Sequence, residues 1–238
     1  MSEVKRYDLI QKAIDQIGKK KKNVNYLEIG VQTGFCLFKI KAAKKLAVDP
    51  EFKIKLTKRI KAYIKNLYNF NNIFFELTSD DFFEQKKSFI SEIGGLDVVF
   101  IDGLHLYEQV LKDIENSLYH LNDGGIILLH DCNPLSETAA LRGMSSEEVL
   151  ATNPPNWLGI WNGDVYKAII KMRSERSDLK IAVLDCDHGI GIIKKGKAEI
   201  QLAYTEEEIK AMKYSELDKE RTHLLNLKSP SAFNDYLD

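Results

Sequence analysis

Five short apolar segments alternate with amphipathic segments between residues 24 and 131, and this alternation restricts the possible folds more than any other feature. The apolar segments cover residues 24–29, 46–49, 72–77, 96–102 and 126–131. Each is almost continuously apolar, which is typical of strands buried on both faces of a parallel sheet. The segments between them have helical spacing, at residues 35–45, 51–68, 81–93 and 107–121. The pattern therefore predicts an α/β fold in which helices cover both faces of the sheet.

The remaining segments complete a single domain over residues 1–238. An amphipathic helix is predicted at residues 1–22, the core at 24–195 and a helical tail at 196–238. Residues 132–162 form a Pro- and Gly-containing insertion, which is too long for an ordinary connection and is typical of a lid. Two apolar runs within residues 179–195 predict a terminal antiparallel hairpin. We expect a three-layer sandwich with a mostly parallel, seven-stranded sheet.

Composition excludes several classes of protein. The chain has 34 basic and 35 acidic residues and a net charge of −1, so nothing in the whole-chain charge favours nucleic acid or an anionic membrane. It lacks a signal-peptide pattern and any run near the roughly 18 apolar residues of a membrane span. The three cysteines are scattered, which is typical of reduced thiols. We expect a cytoplasmic protein without nucleic-acid or membrane partners; the amino-terminal helix could serve a homodimer.

A carboxylate follows each of the five predicted strands. Ligands of open α/β sheets bind outside the carboxyl ends of the strands, where these side chains would gather. Asp102 and Asp131 would face each other if their strands pair, because neighbouring strands lie only about 4.8 Å apart. Two close carboxylates need a proton, a cation or a donor-rich ligand between them. The strand ends are therefore the predicted site, with carboxylates at Glu28, Asp49, Asp80, Asp102 and Asp131.

The turn after the first strand indicates which ligand fits. Gly30 and Gly34 allow a tight turn and a close approach of the backbone to a ligand. Their spacing is not the G-x-G-x-x-G of dinucleotide-binding folds, and Glu28 would repel a phosphate. Asp49 stands about 20 residues further on, where an acidic residue binds ribose hydroxyls in nucleotide-binding α/β units. An adenosine without phosphates fits both observations.

Three sequence blocks carry a resemblance to a known family: E-I-G-x-x-x-G at residues 28–34, L-A-V-D-P at 46–50 and F-I-D-G-x-H-x-Y-E at 100–108. They resemble class I S-adenosylmethionine-dependent methyltransferases. G-G-I-I-L-L-H-D at 124–131 and W-N-G-D-V-Y-K at 161–167 are similar to a bacterial subfamily of small O-methyltransferase-like proteins. The resemblance covers residues 24–195 and implies a Rossmann-like fold with S-adenosylmethionine as cofactor. The implied methyl acceptor is a small-molecule hydroxyl on a sugar or secondary metabolite.

The resemblance also implies roles for individual residues. The glycine turn would line the methionine part of the cofactor, Asp49 would bind the ribose and Glu28 would act near the amino group. Ser79 and Asp80 would contact the adenine, and Asp102 would lie beside the methionine. The cofactor-binding set is thus Glu28, Gly30, Thr33, Gly34, Asp49, Ser79, Asp80 and Asp102.

Some relatives use a divalent metal held by an Asp of strand four, an Asp of strand five and an adjacent Asn or Asp. Here Asp102 and Asp131 match, whereas Cys132 takes the adjacent place and Asn133 comes one residue late. Oxygen ligation by Asp102, Asp131 and Asn133 would suit Mg²⁺ or another divalent cation. The catalytic Lys of these relatives is replaced by His105.

Four further residues have two interpretations each. His105 is either the base that accepts the proton of the acceptor hydroxyl or the cap of the following helix. Asp164 either caps a helix or contacts substrate, and Trp157 and Trp161 either form an aromatic lid or anchor the loop. His130, by strand alternation, is predicted to point away from the site into the core.

The sequence therefore predicts a methyltransferase with His105 and Asp102 as catalytic residues. The alternatives are an NAD(P)-dependent oxidoreductase, a metal-dependent hydrolase or hydroxylase, and a non-catalytic binding protein, because the fold does not decide the function. The identity of the methyl acceptor, the metal requirement and the oligomeric state are not determined by the sequence.

Overall fold

The structure is a computed structural model that describes residues 3–237. Its eight strands are β1 (Asn25–Ile29), β2 (Lys44–Asp49), β3 (Asn72–Glu76), β4 (Leu96–Ile101), β5 (Leu121–Leu129), β6 (Leu179–Leu184), β7 (Ile190–Lys195) and β8 (Leu227–Lys228). They form one sheet in the order β3-β2-β1-β4-β5-β7-β6-β8. Strands β1 to β5 are parallel, β7 is antiparallel to β5 and β6, and β8 is parallel to β6.

The helices follow the amphipathic segments. They are α1 (Arg6–Gly18), α2 (Leu56–Lys65), α3 (Ser79–Gln85), α4 (Lys87–Glu92), α5 (Tyr107–His120), α6 (Ser146–Ala151), α7 (Val165–Glu175), α8 (Glu206–Ala211) and α9 (Tyr214–Leu225), with 3₁₀ turns at Leu67–Asn71 and Pro230–Tyr236. Within residues 3–237, no helix is long and apolar enough to cross a membrane.

The core consists of two apolar clusters, one on each face of the sheet. Side chains of α3, α4, α5, α7, α8 and α9 pack on one face, and those of α1, the segment 31–42 and the terminal 3₁₀ turn pack on the other. Alternate residues of β1 enter opposite clusters: Leu27 and Ile29 face one, and Tyr26 faces the other. The α/β Rossmann-like architecture with an antiparallel hairpin is therefore confirmed.

The predicted strand number of seven is wrong. The eighth strand, β8, pairs with Val183 and Leu184 at the edge of the sheet. It follows Asn226, whose left-handed φ of 48° turns the chain after α9. A strand of two residues has no periodicity to detect, so only the packing of the tail against β6 reveals it.

The helix predicted at residues 35–45 is also absent: residues 32–39 form consecutive turns, and β2 begins at Lys44. Buried side chains supply the hydrogen bonds that a helix would have made. The Lys45 ammonium donates to the carbonyls of Leu37 and Ile40, and Asn69 donates to that of Phe38. Helical spacing of apolar residues thus arises here in a turn segment whose carbonyls have partners outside it.

The predicted lid, residues 132–162, contains α6 and is otherwise irregular. Its last residues return to the carboxyl edge of the sheet, where the Asn162 side chain donates to Asp131 and the amide of Asp164 donates to the carbonyl of His105. The insertion therefore ends beside the carboxyl ends of β4 and β5.

Candidate active site at the carboxyl edge of the sheet

The chain segments that follow β1 and β4 touch each other at the carboxyl edge. Gly30 has a φ of +84°, and a Cβ at this position would lie 1.9 Å from the backbone oxygen of Asp102. Only glycine fits this conformation and this contact. The close approach puts the glycine turn directly beside Asp102.

Asp102, His105, His130 and Asp131 form a compact cluster next to this turn. The Nε2 atom of His105 is 3.6 Å from Asp102 Oδ1 and 3.3 Å from Asp131 Oδ2. The Nδ1 atom of His130 is 3.2 Å from the same Asp102 oxygen and 2.7 Å from the same Asp131 oxygen. The two imidazoles therefore bridge the two carboxylates that the sequence predicts to face each other.

The prediction that His130 points into the core, away from the site, is wrong. Strand alternation applies only while the backbone is extended, and Asp131 has a φ of +60°. The left-handed residue redirects the chain at the end of β5, so that consecutive side chains meet and His130 hydrogen-bonds to Asp131. The end of the extended conformation at Asp131 therefore brings a second histidine, His130, into the site.

The charges in the cluster stabilise one another. Burial alone would raise the pKa of Asp102, but the charge of His130 and hydrogen bonds from both histidines hold it well below its usual range. Burial would lower the pKa of His130, yet Asp102 and Asp131 raise it to about 10. The pKa of His105 is also raised, because its hydrogen bond to Asp102 and the charge of Asp131 outweigh burial. The carboxylate charges therefore favour the protonated form of each imidazole over what burial alone would allow.

Arg6 is a site residue that sequence reasoning missed. Its Nη1 atom donates to Asp102 Oδ2 at 2.7 Å, and its Nε donates to Asp187 Oδ2 at 2.9 Å. Asp187 belongs to the turn between β6 and β7, so Arg6 ties α1 to both the hairpin and the cluster. No local pattern marks Arg6, because its partners are 96 and 181 residues away.

The block Trp161 to Asp164 positions the cluster. The Trp161 ring stacks on His105 with centroids 4.8 Å apart, and its indole nitrogen donates to Leu141 O at 2.7 Å. Asn162 donates to Asp131 Oδ1 at 2.8 Å. Asp164 caps α5, not its own helix α7, by accepting the amide of Tyr107 at 2.7 Å. Trp157 is partly buried in the loop between α6 and α7.

Three buried polar atoms of this group have no hydrogen-bond partner among the described residues. They are His105 Nδ1, His130 Nε2 and Asn162 Oδ1. A small cavity lies between Asp102, His105 and His130. Because buried polar atoms in folded proteins are almost always paired, the unsatisfied atoms indicate that the cluster binds a ligand or water.

Asn133, the predicted third metal ligand, makes different contacts. Its amide nitrogen donates to Asp185 Oδ1 at 3.1 Å, and its amide oxygen accepts from Arg221. His105 instead completes a group with Asp102 and Asp131, in which one potential ligand atom from each residue lies within 4.8 Å of the others. The Asn133 amide is thus held by residues of the hairpin turn and α9, and its role as a metal ligand stays a prediction.

Asp49 and the glycine turn form the side of the site nearest β2. Both Asp49 oxygens accept backbone amides, from Gln32 at 2.7 Å and Glu51 at 2.8 Å. The Thr33 hydroxyl accepts from Lys58 Nζ at 3.2 Å, and Gly34 has a φ of +71°. Asp49 thus lies beside the turn, as the sequence predicts, and holds it in place.

Glu28 is buried under the turn segment. It accepts hydrogen bonds from the Tyr26 hydroxyl at 2.6 Å and the Leu37 amide at 3.2 Å. Burial raises its pKa to about 7. Glu28 therefore anchors residues 31–40 through these contacts. They do not support the expectation that Glu28 faces the amino group of a cofactor.

Ser79 and Asp80 begin α3 and meet α5. Gln109 Nε2 lies 3.2 Å from Ser79 Oγ, 3.0 Å from Asp80 Oδ1 and 3.1 Å from Asp113 Oδ1. Asp113 is buried, which raises its pKa to about 6. Gln109 and Asp113 were not predicted, although their four-residue spacing puts both on the same face of α5.

The comparisons with known proteins agree with this fold. A family model described as "Methyltransferase domain" matches residues 27–132. No curated protein matches the chain in sequence. Among solved structures, a methyltransferase from Podospora anserina bound to S-adenosylhomocysteine is 16% identical, with a TM-score of 0.52 over 79% of this chain and 76% of that chain.

Two O-methyltransferases have the same fold. One, from Bacillus cereus in complex with S-adenosylhomocysteine, is 12% identical over 81% of this chain and 83% of that chain, with a TM-score of 0.51. The other is TomG from Streptomyces achromogenes, involved in tomaymycin synthesis and bound to S-adenosylmethionine. It is 11% identical over 82% of this chain and 92% of that chain, with a TM-score of 0.51. The resemblance predicted from the sequence is thus confirmed: the chain is similar in fold to S-adenosylmethionine-dependent O-methyltransferases, and its residues 27–132 match the methyltransferase family model.

Proposed function

We propose that this protein transfers a methyl group from S-adenosylmethionine to a hydroxyl of a small molecule, such as a sugar or another secondary metabolite. The observation that carries the proposal is the position of the cluster of Asp102, His105, His130 and Asp131. It lies next to a glycine turn that leaves no room for a Cβ. A cofactor on the turn and an acceptor at the cluster would be neighbours, as methyl transfer requires.

The residues present fit the adenosyl cofactor. Bound there, it supplies an electrophilic methyl group. Gly30 allows close approach of the backbone, Asp49 offers carboxylate oxygens for ribose hydroxyls, and Gln109 groups the polar atoms of Ser79 and Asp80 at the next strand end.

The cluster also fits a divalent cation. Two carboxylates and an imidazole are common ligands of Mn²⁺ and related ions, and the potential ligand atoms of Asp102, His105 and Asp131 are within 4.8 Å of one another. A cation at this site would acidify a coordinated acceptor hydroxyl. Asn162 orients Asp131, Trp161 orients His105, and Arg6 orients Asp102 by direct contact.

Binding of S-adenosylhomocysteine is expected to depend on Asp49. In calorimetric titrations, Asp49→Ala should weaken affinity about tenfold to a hundredfold, the usual effect of losing hydrogen bonds to a charged group. Glu51→Ala is the matched control, since it removes the same charge from an exposed side chain two residues away. Equal affinity of both variants would contradict the ribose assignment. If the wild type did not bind, the methyltransferase proposal itself would be wrong.

The metal assignment has a separate test, in which Mn²⁺ binding is measured by calorimetry. Asp131→Asn is expected to lower the affinity by at least about tenfold, as for the loss of a metal ligand or its support. Asn133→Ala should leave it within about twofold, because the described contacts of Asn133 lie with Asp185 and Arg221. A larger loss of Mn²⁺ affinity in Asn133→Ala than in Asp131→Asn would support Asn133 as a ligand. Methyl transfer unchanged by EDTA would favour His105 as the proton acceptor, since its Nε2 atom cannot both bind a cation and accept the proton of the hydroxyl.

A further inference from the structure

The outer face of α2 is an apolar stripe open to solvent. Leu56, Ile60 and Ile64 follow one another at four-residue spacing and are 71%, 52% and 76% exposed. None of the ten described residues of α2 is buried. An apolar stripe on a helix normally faces the core, so this helix is reversed relative to the usual arrangement.

The stripe continues beyond the helix into the 3₁₀ turn at Leu67–Asn71. Leu67, Tyr68 and Phe70 are exposed, and Asn69 between them is buried. Asn69 donates to the carbonyls of Phe38 and Ala62. The turn is therefore anchored to the protein by a polar side chain, while its apolar side chains stay in solvent. We call the exposed residues Leu56, Ile60, Ile64, Leu67, Tyr68 and Phe70 the α2 face.

The inner side of α2 explains this orientation. The Arg59 guanidinium lies 4.7 Å from the ring centroid of Phe74 in β3, and Tyr63 packs on Phe70 at 4.9 Å. Ala62 and Tyr63 pack against the core cluster. The Arg59 guanidinium thus attaches the helix to the edge of the sheet, Ala62 and Tyr63 attach it to the core, and the aliphatic side chains of its other side stay outside.

The charge around the α2 face is strongly positive. Residues 51–65 contain six basic residues and one acidic residue, whereas the whole chain has a net charge of −1. The basic residues are Lys53, Lys55, Lys58, Arg59, Lys61 and Lys65. A helix with one apolar stripe and a polar side rich in lysine has the pattern of helices that lie in the interface of an anionic membrane.

We propose that the α2 face docks this protein onto an anionic phospholipid bilayer, with Leu56, Ile60 and Ile64 in the acyl boundary and the neighbouring lysines on the lipid phosphates. A second copy of the chain is the less suitable occupant, because the isologous contact would bring two strongly basic segments together. An anionic bilayer matches both the apolar stripe and the charge.

Docking would bring the glycine turn close to the membrane. Lys53 donates its amide to Gln32 O at 2.9 Å, and Lys58 Nζ donates to Thr33 Oγ1 at 3.2 Å. The docking surface therefore adjoins the carboxyl edge of the sheet. This proposal departs from the expectation of no membrane partner, which rested on whole-chain charge and the absence of a spanning segment. A helix that lies on the membrane surface requires neither a positive net charge of the whole chain nor a spanning segment.

Vesicle co-sedimentation of the full-length protein tests the proposal. The vesicles contain equal parts of phosphatidylglycerol and phosphatidylcholine, or phosphatidylcholine alone. We expect the wild type to pellet with the anionic vesicles and Ile60→Glu/Ile64→Glu to bind at least about tenfold more weakly. The matched control is Tyr119→Glu/Ile200→Glu, which adds the same charge at side chains 81% and 54% exposed and outside the α2 face. It should pellet like the wild type.

Further outcomes are equally decisive. Ile60→Ser/Ile64→Ser removes apolar area without adding charge and should also weaken binding, whereas added salt should weaken binding of the wild type by screening the lysines. The proposal is overturned if the wild type stays in the supernatant or if the two Glu double variants pellet equally. A dimer in sedimentation velocity that Ile60→Glu/Ile64→Glu dissociates, without vesicle binding by the wild type, would assign the α2 face to a second copy.

Discussion

Gly30→Ala is expected to destabilise the protein by about 3–5 kcal/mol and to abolish binding of S-adenosylhomocysteine. The added Cβ would lie 1.9 Å from the backbone oxygen of Asp102, at a φ of +84° that L residues rarely adopt. A backbone oxygen cannot rotate away as a side chain can, so the ends of β1 and β4 would have to separate. Chemical denaturation and calorimetric titration measure the two effects.

Gly94→Ala is the matched control for this prediction. Gly94 has nearly the same φ, +85°, but a Cβ there would meet nothing within 4 Å. It should destabilise the protein only by the conformational strain, about 1–2 kcal/mol, and should leave cofactor binding intact. Equal losses in the two variants would show that strain alone limits Gly30 and that the contact with Asp102 is unimportant.

Lys45→Met is expected to destabilise the protein by about 2–4 kcal/mol, because it leaves three buried acceptors without a donor. These are the carbonyls of Leu37 and Ile40 and the side-chain oxygen of Asn69, at 2.8, 2.9 and 2.6 Å from the ammonium. Burial lowers the pKa of Lys45 to about 8. Residues 31–40 should loosen, which amide hydrogen exchange would detect alongside the denaturation midpoint.

Lys44→Met tests whether this effect belongs to the buried ammonium. Lys44 is the preceding residue of β2 and is only partly buried, so the same substitution should change stability by no more than about 0.5 kcal/mol. A Lys45→Met variant as stable as Lys44→Met, with unchanged amide exchange in residues 31–40, would mean that the three acceptors do not depend on the ammonium. That result would contradict the role given to Lys45 as the donor that replaces helical bonds.

The parallel sheet could be predicted because its strands are buried on both faces and are therefore continuously apolar. The same reliance on apolar patterns explains why a helix was wrongly predicted at residues 35–45. Apolar residues at helical spacing bury one side of a segment whether it is a helix or a chain of turns. The turns are favoured by Lys45 and Asn69, whose side chains bond to the carbonyls of the segment from β2 and from the 3₁₀ turn at Leu67–Asn71.

The candidate site could be predicted in part. Asp102, His105 and Asp131 were identified because strand order brings the ends of β4 and β5 together. His130 was misassigned because the alternation rule holds only for extended backbone, and the left-handed Asp131 ends it. Arg6 had no signal at all, since a single arginine in an amphipathic helix is ordinary until the helix is docked.

By itself, the amino-acid sequence determined the alternating fold, the carboxylates at the strand ends and the glycine turn, because each depends on residues close together in the chain. The tertiary structure alone decided the composition of the cluster, the contacts of Asn133 with Asp185 and Arg221, and the outward direction of the apolar face of α2. These features depend on contacts between residues far apart in sequence. Their free energies come from burial and pairing of charges, which exist only once the sheet edge has assembled.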